Sequence, residues 1–235
     1  MFAVSHLNGF NVGGAETDPN FSSVVALLHM NGTDASTTFT DVIGKTWTAV
    51  GNAQIDTAQS KFGGASGLFD GTGDYITTPD HADFNFTGNF TVEMWVRLAA
   101  ATATYEIFGH GDSTDGAHLF LEFDGSARGL YFQVRAAGSP VVDVTQGATT
   151  GWSTNTWYHV AVTRATNDWY VFRDGTQLAT VNDASGYGDY STTAQLGAFN
   201  GGNVLNGWID DARVTKGVAR YTGNFTAPTS AFPDS

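Results

Sequence analysis

Between residues 89 and 98 the chain alternates strictly, with Phe90, Val92, Met94, Val96 and Leu98 on one side and Thr91, Glu93, Trp95 and Arg97 on the other. A period of two predicts a β-strand with one face on a core. Residues 156–181 predict three antiparallel strands in succession. The first turn falls at Asn167-Asp168 and the second at Asp174-Gly175, where glycine tolerates the positive φ of a type I′ turn. Shorter strand-like runs occupy 24–30, 65–70, 75–78, 105–109, 119–123, 129–135, 193–196 and 204–215, separated by Gly, Asn, Asp and Ser clusters. Helical periodicity is absent. About a dozen short strands would leave a large bare face on one open sheet, so the pattern predicts an all-β, two-sheet antiparallel sandwich. The main domain is expected over 23–215, preceded by a weakly patterned arm at 1–22 and followed by a tail at 216–235.

Composition narrows the function classes. The 235 residues are 41% hydrophobic, enough for one core without cross-links, and there is no cysteine for a disulfide, a thiolate metal site or thiol catalysis. Acids outnumber bases 23 to 10, for a net charge of −13, and the bases are scattered singly. Nucleic-acid binding requires a basic footprint that this chain lacks. No apolar run approaches a membrane span, and residues 1–14 read as no signal peptide. Membrane insertion is therefore not expected.

The segments KFGGASGLFDGTGDYITTPD, FTVEMWVRL, WYHVAVTR, FRDGTQLAT and GWIDDARVTKGVARYTGNFTAP occur in that order between residues 61 and 228, within a similarity that covers about residues 24–228. Together they resemble the concanavalin A-like lectin/glucanase superfamily in its laminin-G-like branch. The resemblance implies a jelly-roll sandwich of two curved sheets, usually a carbohydrate-binding or adhesive module, often with one structural calcium. The GVARYTGNFTAP ending looks like that of domains appended to phage tail, fibre and capsid-surface proteins and to secreted bacterial proteins. It implies a virion-surface or extracellular location, with a glycan and capsid or tail proteins as partners.

Calcium needs several carboxylates and carbonyls from a tight turn. Asp70-Gly71-Thr72-Gly73-Asp74 offers both, although Asp beside Gly is also ordinary turn chemistry. The resemblance adds Asp210 as a ligand and Asp41 as a third candidate, in a loop where Val42 and Ile43 depart from the family's usual Asp-Ser-Ser-Gly. Alternation places Asp210 on the face of Ala212 and Val214, pointing inward, with Asp211 on the opposite face. A buried Asp210 charge would need a cation.

Sugar recognition uses aromatic faces with polar groups beside them. Tyr187 and Tyr190 in the loop 182–193, with Trp152, Asp112, His110 and His118 at loop-like or strand-end positions, form the ligand-binding expectation. Each alone reads first as packing, and only as a group do they point to a sugar. Trp95, Trp157, Phe90 and Phe172 read as core and sheet residues, and His159 as a structural histidine. The histidines show no zinc spacing, and none of Glu16, Glu93, Glu106 and Glu122 belongs to a Glu-x-Asp-x-x-Glu pattern, so no enzyme is expected. Tyr221, Phe225 and Phe232 are placed to strap the tail across the sandwich, with Pro228 and Pro233 holding it extended. For the arm, disorder and docking through Phe2, Leu7, Phe10 and Val12 are equal expectations.

Overall fold

The alternating run 89–98 forms a central strand, and the rest of the chain is arranged around it. The computed structural model describes residues 17–112, 117–185, 190–200 and 202–235. The strands are β1 (Val24–Leu28), β2 (Thr38–Phe39), β3 (Trp47–Val50), β4 (Gln54–Asp56), β5 (Ser66–Asp70), β6 (Tyr75–Thr78), β7 (Phe90–Leu98) and β8 (Thr104–Asp112). They continue with β9 (Ala117–Asp124), β10 (Gly129–Ala136), β11 (Ser139–Thr145), β12 (Trp157–Ala165), β13 (Asp168–Arg173), β14 (Thr176–Asn182), β15 (Ala194–Leu196) and β16 (Asn206–Lys216).

Two eight-stranded antiparallel sheets result. The first runs β14-β13-β12-β7-β16-β5-β4, with β1 pairing the far half of β16, and the second runs β11-β10-β9-β8-β15-β6-β3-β2. The even positions of β7 face inward and meet Leu119, Leu121, Phe123, Leu130, Phe132 and Val134 of the second sheet in one core. Each such fully buried side chain contributes about 1.5–3 kcal/mol. No helix of the described residues is long and apolar enough to cross a membrane.

The strand β16 departs from simple alternation. Asp211 has φ +48° and the register with β7 shifts between Asp210 and Arg213, which marks a β-bulge. The extra residue resets the faces: Ile209, Ala212 and Val214 join the core, while Asp210 lies opposite Trp95 on the outer face. The inward orientation expected for Asp210 is therefore corrected, as is the opposition of Asp210 and Asp211, since Asp211 also works on the outer side.

That outer face is covered at its centre by the tail. Tyr221 stacks on Phe225 at 3.5 Å, Phe225 meets Phe172 at 5.3 Å and His159 at 5.7 Å, and the Phe232 amide donates to Asp211. Gly175 sets the approach: its φ is +77°, and a Cβ there would lie 2.0 Å from the Phe225 carbonyl oxygen.

Candidate functional site

The four aspartates expected to share calcium do not converge. Asp41 accepts from the Leu27 and Ile43 amides and the Trp47 indole, and Asp74 accepts from the Asn52 and Asp70 amides. The exposed Asp70 closes its own turn by accepting from the Thr72 amide. Asp70 pairs with Asn206, so Asp210 lies four residues further along β16, roughly 14 Å away. Asp210 Oδ2 accepts from the Lys61 and Phe62 amides at 2.6 and 3.0 Å. Burial pushes its carboxyl up to about 7, against those hydrogen bonds. No three His, Asp or Glu side chains among the described residues gather as a metal-ligand group, so the carboxylates present do not fit a shared ion.

The expected sugar contacts are also scattered. Trp152 is buried against Phe123 and Tyr158, its indole donating to Gln146. His110 is a buried residue within β8, beside Phe84. His118 lies on the outer face of the second sheet, between Phe120 and Phe199 at ring distances of 5.4 and 4.6 Å. Tyr190 is half-buried and packs on the core. Tyr187 and the side chain of Asp112 lie outside the described residues, as do Phe2, Leu7, Phe10 and Val12.

Two buried glutamate clusters occupy the outer faces. On the first sheet, Glu93 accepts from Arg213 at 2.8 Å and from Tyr221 at 2.8 Å, and contacts His159 at 3.2 Å. Arg213 and Arg220 both continue to Asp18. Burial alone would raise the Glu93 carboxyl, but Arg213, His159 and Arg220 together hold it at about 2. Nearby, His29 bridges Asp211 and Asp234 at 2.5 and 2.7 Å, and the Asp211 hydrogen bond, opposed by burial, lifts the imidazole to about 9.

On the second sheet, Glu106 and Glu122 are direct cross-strand partners. Strand spacing along a single segment could not reveal this pair, which only the β8–β9 register creates. Glu106 accepts from the Phe199 amide at 2.8 Å and Glu122 from the Tyr131 hydroxyl. Burial, opposed by the Phe199 amide and reinforced by Glu122, pushes Glu106 up to about 8. Both carboxyls are buried under their neighbours.

The open aromatic surface lies elsewhere, on the first sheet beyond the tail. Of six tryptophans, Trp47, Trp95, Trp152 and Trp169 are buried, whereas Trp157 and Trp208 are half-exposed. Sequence reasoning assigned Trp157 to the sheet and core, and the structure places it on the outer surface. Trp157 and Trp208 are both register partners of Arg97, one from β12 and one from β16. The row Trp157–Arg97–Trp208 therefore crosses three strands, with the indoles roughly 10 Å apart. The Arg97 guanidinium lies 4.6 Å from the Trp208 ring, and the Trp208 indole donates to Asp56 at 2.7 Å, which fixes its plane. Leu68 and Gln54 extend the row across β5 and β4, both half-buried. Such a row can stack planar apolar faces and offer guanidinium donors beside them. Alternation marked Arg97 as outward-facing, but it put Trp208 on the inward face with Asp210, and the adjacency of the three residues required the register.

A family model described as the concanavalin A-like lectin/glucanases superfamily matches residues 70–219. No curated protein matches the chain. Among solved structures, domain 4 of AbnA, a GH43 extracellular arabinanase from Geobacillus stearothermophilus, solved with arabinotriose, is similar. It shows TM-score 0.65 and 17% identity, over 84% of this chain and 94% of that one. The botulinum neurotoxin serotype D binding domain gives TM-score 0.64 at 13% identity, over 85% of this chain and 49% of that one. The binding domain of Paraclostridial Mosquitocidal Protein 1 gives 0.63 at 14%, over 83% and 49%. This chain thus spans about half the length of the toxin domains, and at these identities the likeness is one of fold.

Proposed function

The chain belongs to the concanavalin A-like lectin/glucanases superfamily, and from that premise we propose that it is a non-catalytic carbohydrate-binding module whose contact surface is the Trp157–Arg97–Trp208 row. The observation that carries this reading is the register that sets the two half-exposed tryptophans on either side of one arginine. Stacking on indole faces with polar groups at the edge is how protein surfaces hold sugar rings. The sugar-bound state of the arabinanase domain supports the reading at the level of the fold. Affinity electrophoresis against a panel of soluble polysaccharides tests it. Retardation by at least one polymer, lost in Trp157→Ala and Trp208→Ala variants that keep the parent melting temperature, is the expected result. Retardation unchanged in both variants overturns the assignment of the surface.

The same proposal places the module on a phage particle, supported by the likeness of its GVARYTGNFTAP ending to virion-surface domains. Deleting residues 1–22 should then abolish incorporation into particles while leaving the sandwich folded, and undiminished incorporation removes the attachment role of the arm.

Hydrolysis is a second reading favoured by one observation, the facing Glu106 and Glu122. Directly opposed residues have Cβ atoms about 4.5–5.5 Å apart, within reach of a two-carboxylate mechanism. Against it, both carboxyls are buried and already held by Phe199 and Tyr131. Reducing-sugar release that disappears in folded Glu106→Gln protein would replace the binding reading.

A further inference from the structure

The cations beside the tryptophan row define the ligand more narrowly. Lys45, Arg128, Arg213 and Arg220 are ion-paired with carboxylates. Arg97 has no such partner among the described residues, and its guanidinium is engaged only by the Trp208 face. Lys61 is likewise without a carboxylate partner. Its ammonium stands 3.8 Å over the Trp95 ring and 5.6 Å from Phe62. Trp95 lies two residues along β7 from Arg97, a separation on the order of 7 Å. Six of the 10 basic residues make no ion pair among the described residues, and two of them, Arg97 and Lys61, share this one aromatic surface.

Among the described residues the nearby acids form no ion pair with either cation and are held by neutral donors instead. Asp56 is held by the Trp208 indole and by the Ala58 amide, and Asp210 is fully buried with Oδ2 on the Lys61 and Phe62 amides. A guanidinium stacked on an indole keeps its edge donors in the geometry that grips a carboxylate.

Resting on the carbohydrate-binding reading above, we propose that this surface selects acidic glycans. A uronate ring stacks on Trp157 or Trp208, and its carboxylate is received by Arg97 with Lys61 alongside. A row crossing three paired strands at the end of the sheet suits a sugar ring, whereas an extended acidic peptide would need a free strand edge.

The test compares polygalacturonate with the same polymer fully methyl-esterified, which keeps the rings and removes the charge. Isothermal titration of the intact chain should give binding about ten-fold tighter to the acid form, the size of one charge-assisted hydrogen bond. The preference should weaken between 50 and 500 mM salt, which are chosen conditions spanning roughly a three-fold change in screening length. Arg97→Gln should bring the two forms to within about three-fold while binding of the ester persists, and Lys61→Gln should do so partially. Equal binding of acid and ester by the parent protein overturns the acidic preference and leaves the carbohydrate reading standing. Binding of neither form, or of any neutral polysaccharide, while an aspartate-rich peptide binds would overturn both.

Discussion

The outer faces of the two sheets meet the same problem in opposite ways. Each buries a glutamate where a strand would ordinarily present it to water. Glu93 on the first sheet is matched by Arg213 and Arg220 and stays ionised, with its carboxyl near 2. Glu106 on the second sheet faces another glutamate and no cation, and its carboxyl rises to about 8. The ionised site recruits long basic and aromatic side chains and so anchors Asp18 and the tail, closing the centre of that face. The neutral site recruits a hydroxyl and an amide and closes by local packing alone. What remains open is the end of the first sheet that the tail does not reach, where Trp157, Arg97 and Trp208 lie.

Breaking the ionised cluster should have the largest effect. Glu93→Gln leaves the buried Arg213 and Arg220 sharing Asp18 as their one remaining counter-charge and should lower unfolding free energy by about 3–5 kcal/mol in urea titrations, with the tail becoming protease-sensitive. A loss under 1 kcal/mol would mean that the cluster does not hold the tail. Gly175→Ala forces a Cβ against the Phe225 carbonyl at positive φ, and should cost about 1–3 kcal/mol by the same measurement.

The pH profile sharpens the comparison, because the two sites titrate with opposite sign. Glu93 is depressed on folding, so its contribution is present above the usual glutamate value of 4.5 and is lost as pH falls towards about 2. Glu106 is raised, so its contribution is complete below 4.5 and is lost as pH rises through about 8. Asp210, raised to about 7, and His29, raised to about 9, lose stability in the same alkaline direction. The melting temperature should therefore peak near about pH 4.5 and decline towards pH 9. A maximum at pH 8 would contradict the raised value of Glu106, and no loss of stability between pH 4.5 and 2 would contradict the depressed value of Glu93.

Glu106→Gln should be nearly silent at pH 6, within about 0.5 kcal/mol, because a neutral isostere replaces a neutral acid, and it should flatten the alkaline decline. The smallest expected effect is that of calcium. Asp70 and Asp74 share a turn, but no third acid or histidine joins them among the described residues, so exchanging chelator for millimolar calcium should leave the melting temperature unchanged.

The sequence alone made β7, the hairpins of β12–β14 and the two-sheet class readable, because strict alternation and the Asp174-Gly175 turn are local signals. The two- to four-residue strands β2, β3 and β4 were too short to carry a period, and β11 was obscured by Pro140 near its start. The bulge at Asp211 was invisible because alternation counts residues without knowing which one is left out of the ladder. That single displacement turned an expected inward metal ligand into an outward acceptor of loop amides. The tryptophan row and the glutamate pair were illegible for another reason: each is assembled across strands, and register is a long-range property.

The most direct test of the carbohydrate-binding account is nuclear magnetic resonance of the six indole N–H groups during titration with polygalacturonate. The account predicts shifts at Trp157 and Trp208, a smaller one at Trp95 under Lys61, and Trp47, Trp152 and Trp169 nearly still. A glycan that binds while moving only the buried indoles, or only residues around Glu106 and Glu122, would contradict it.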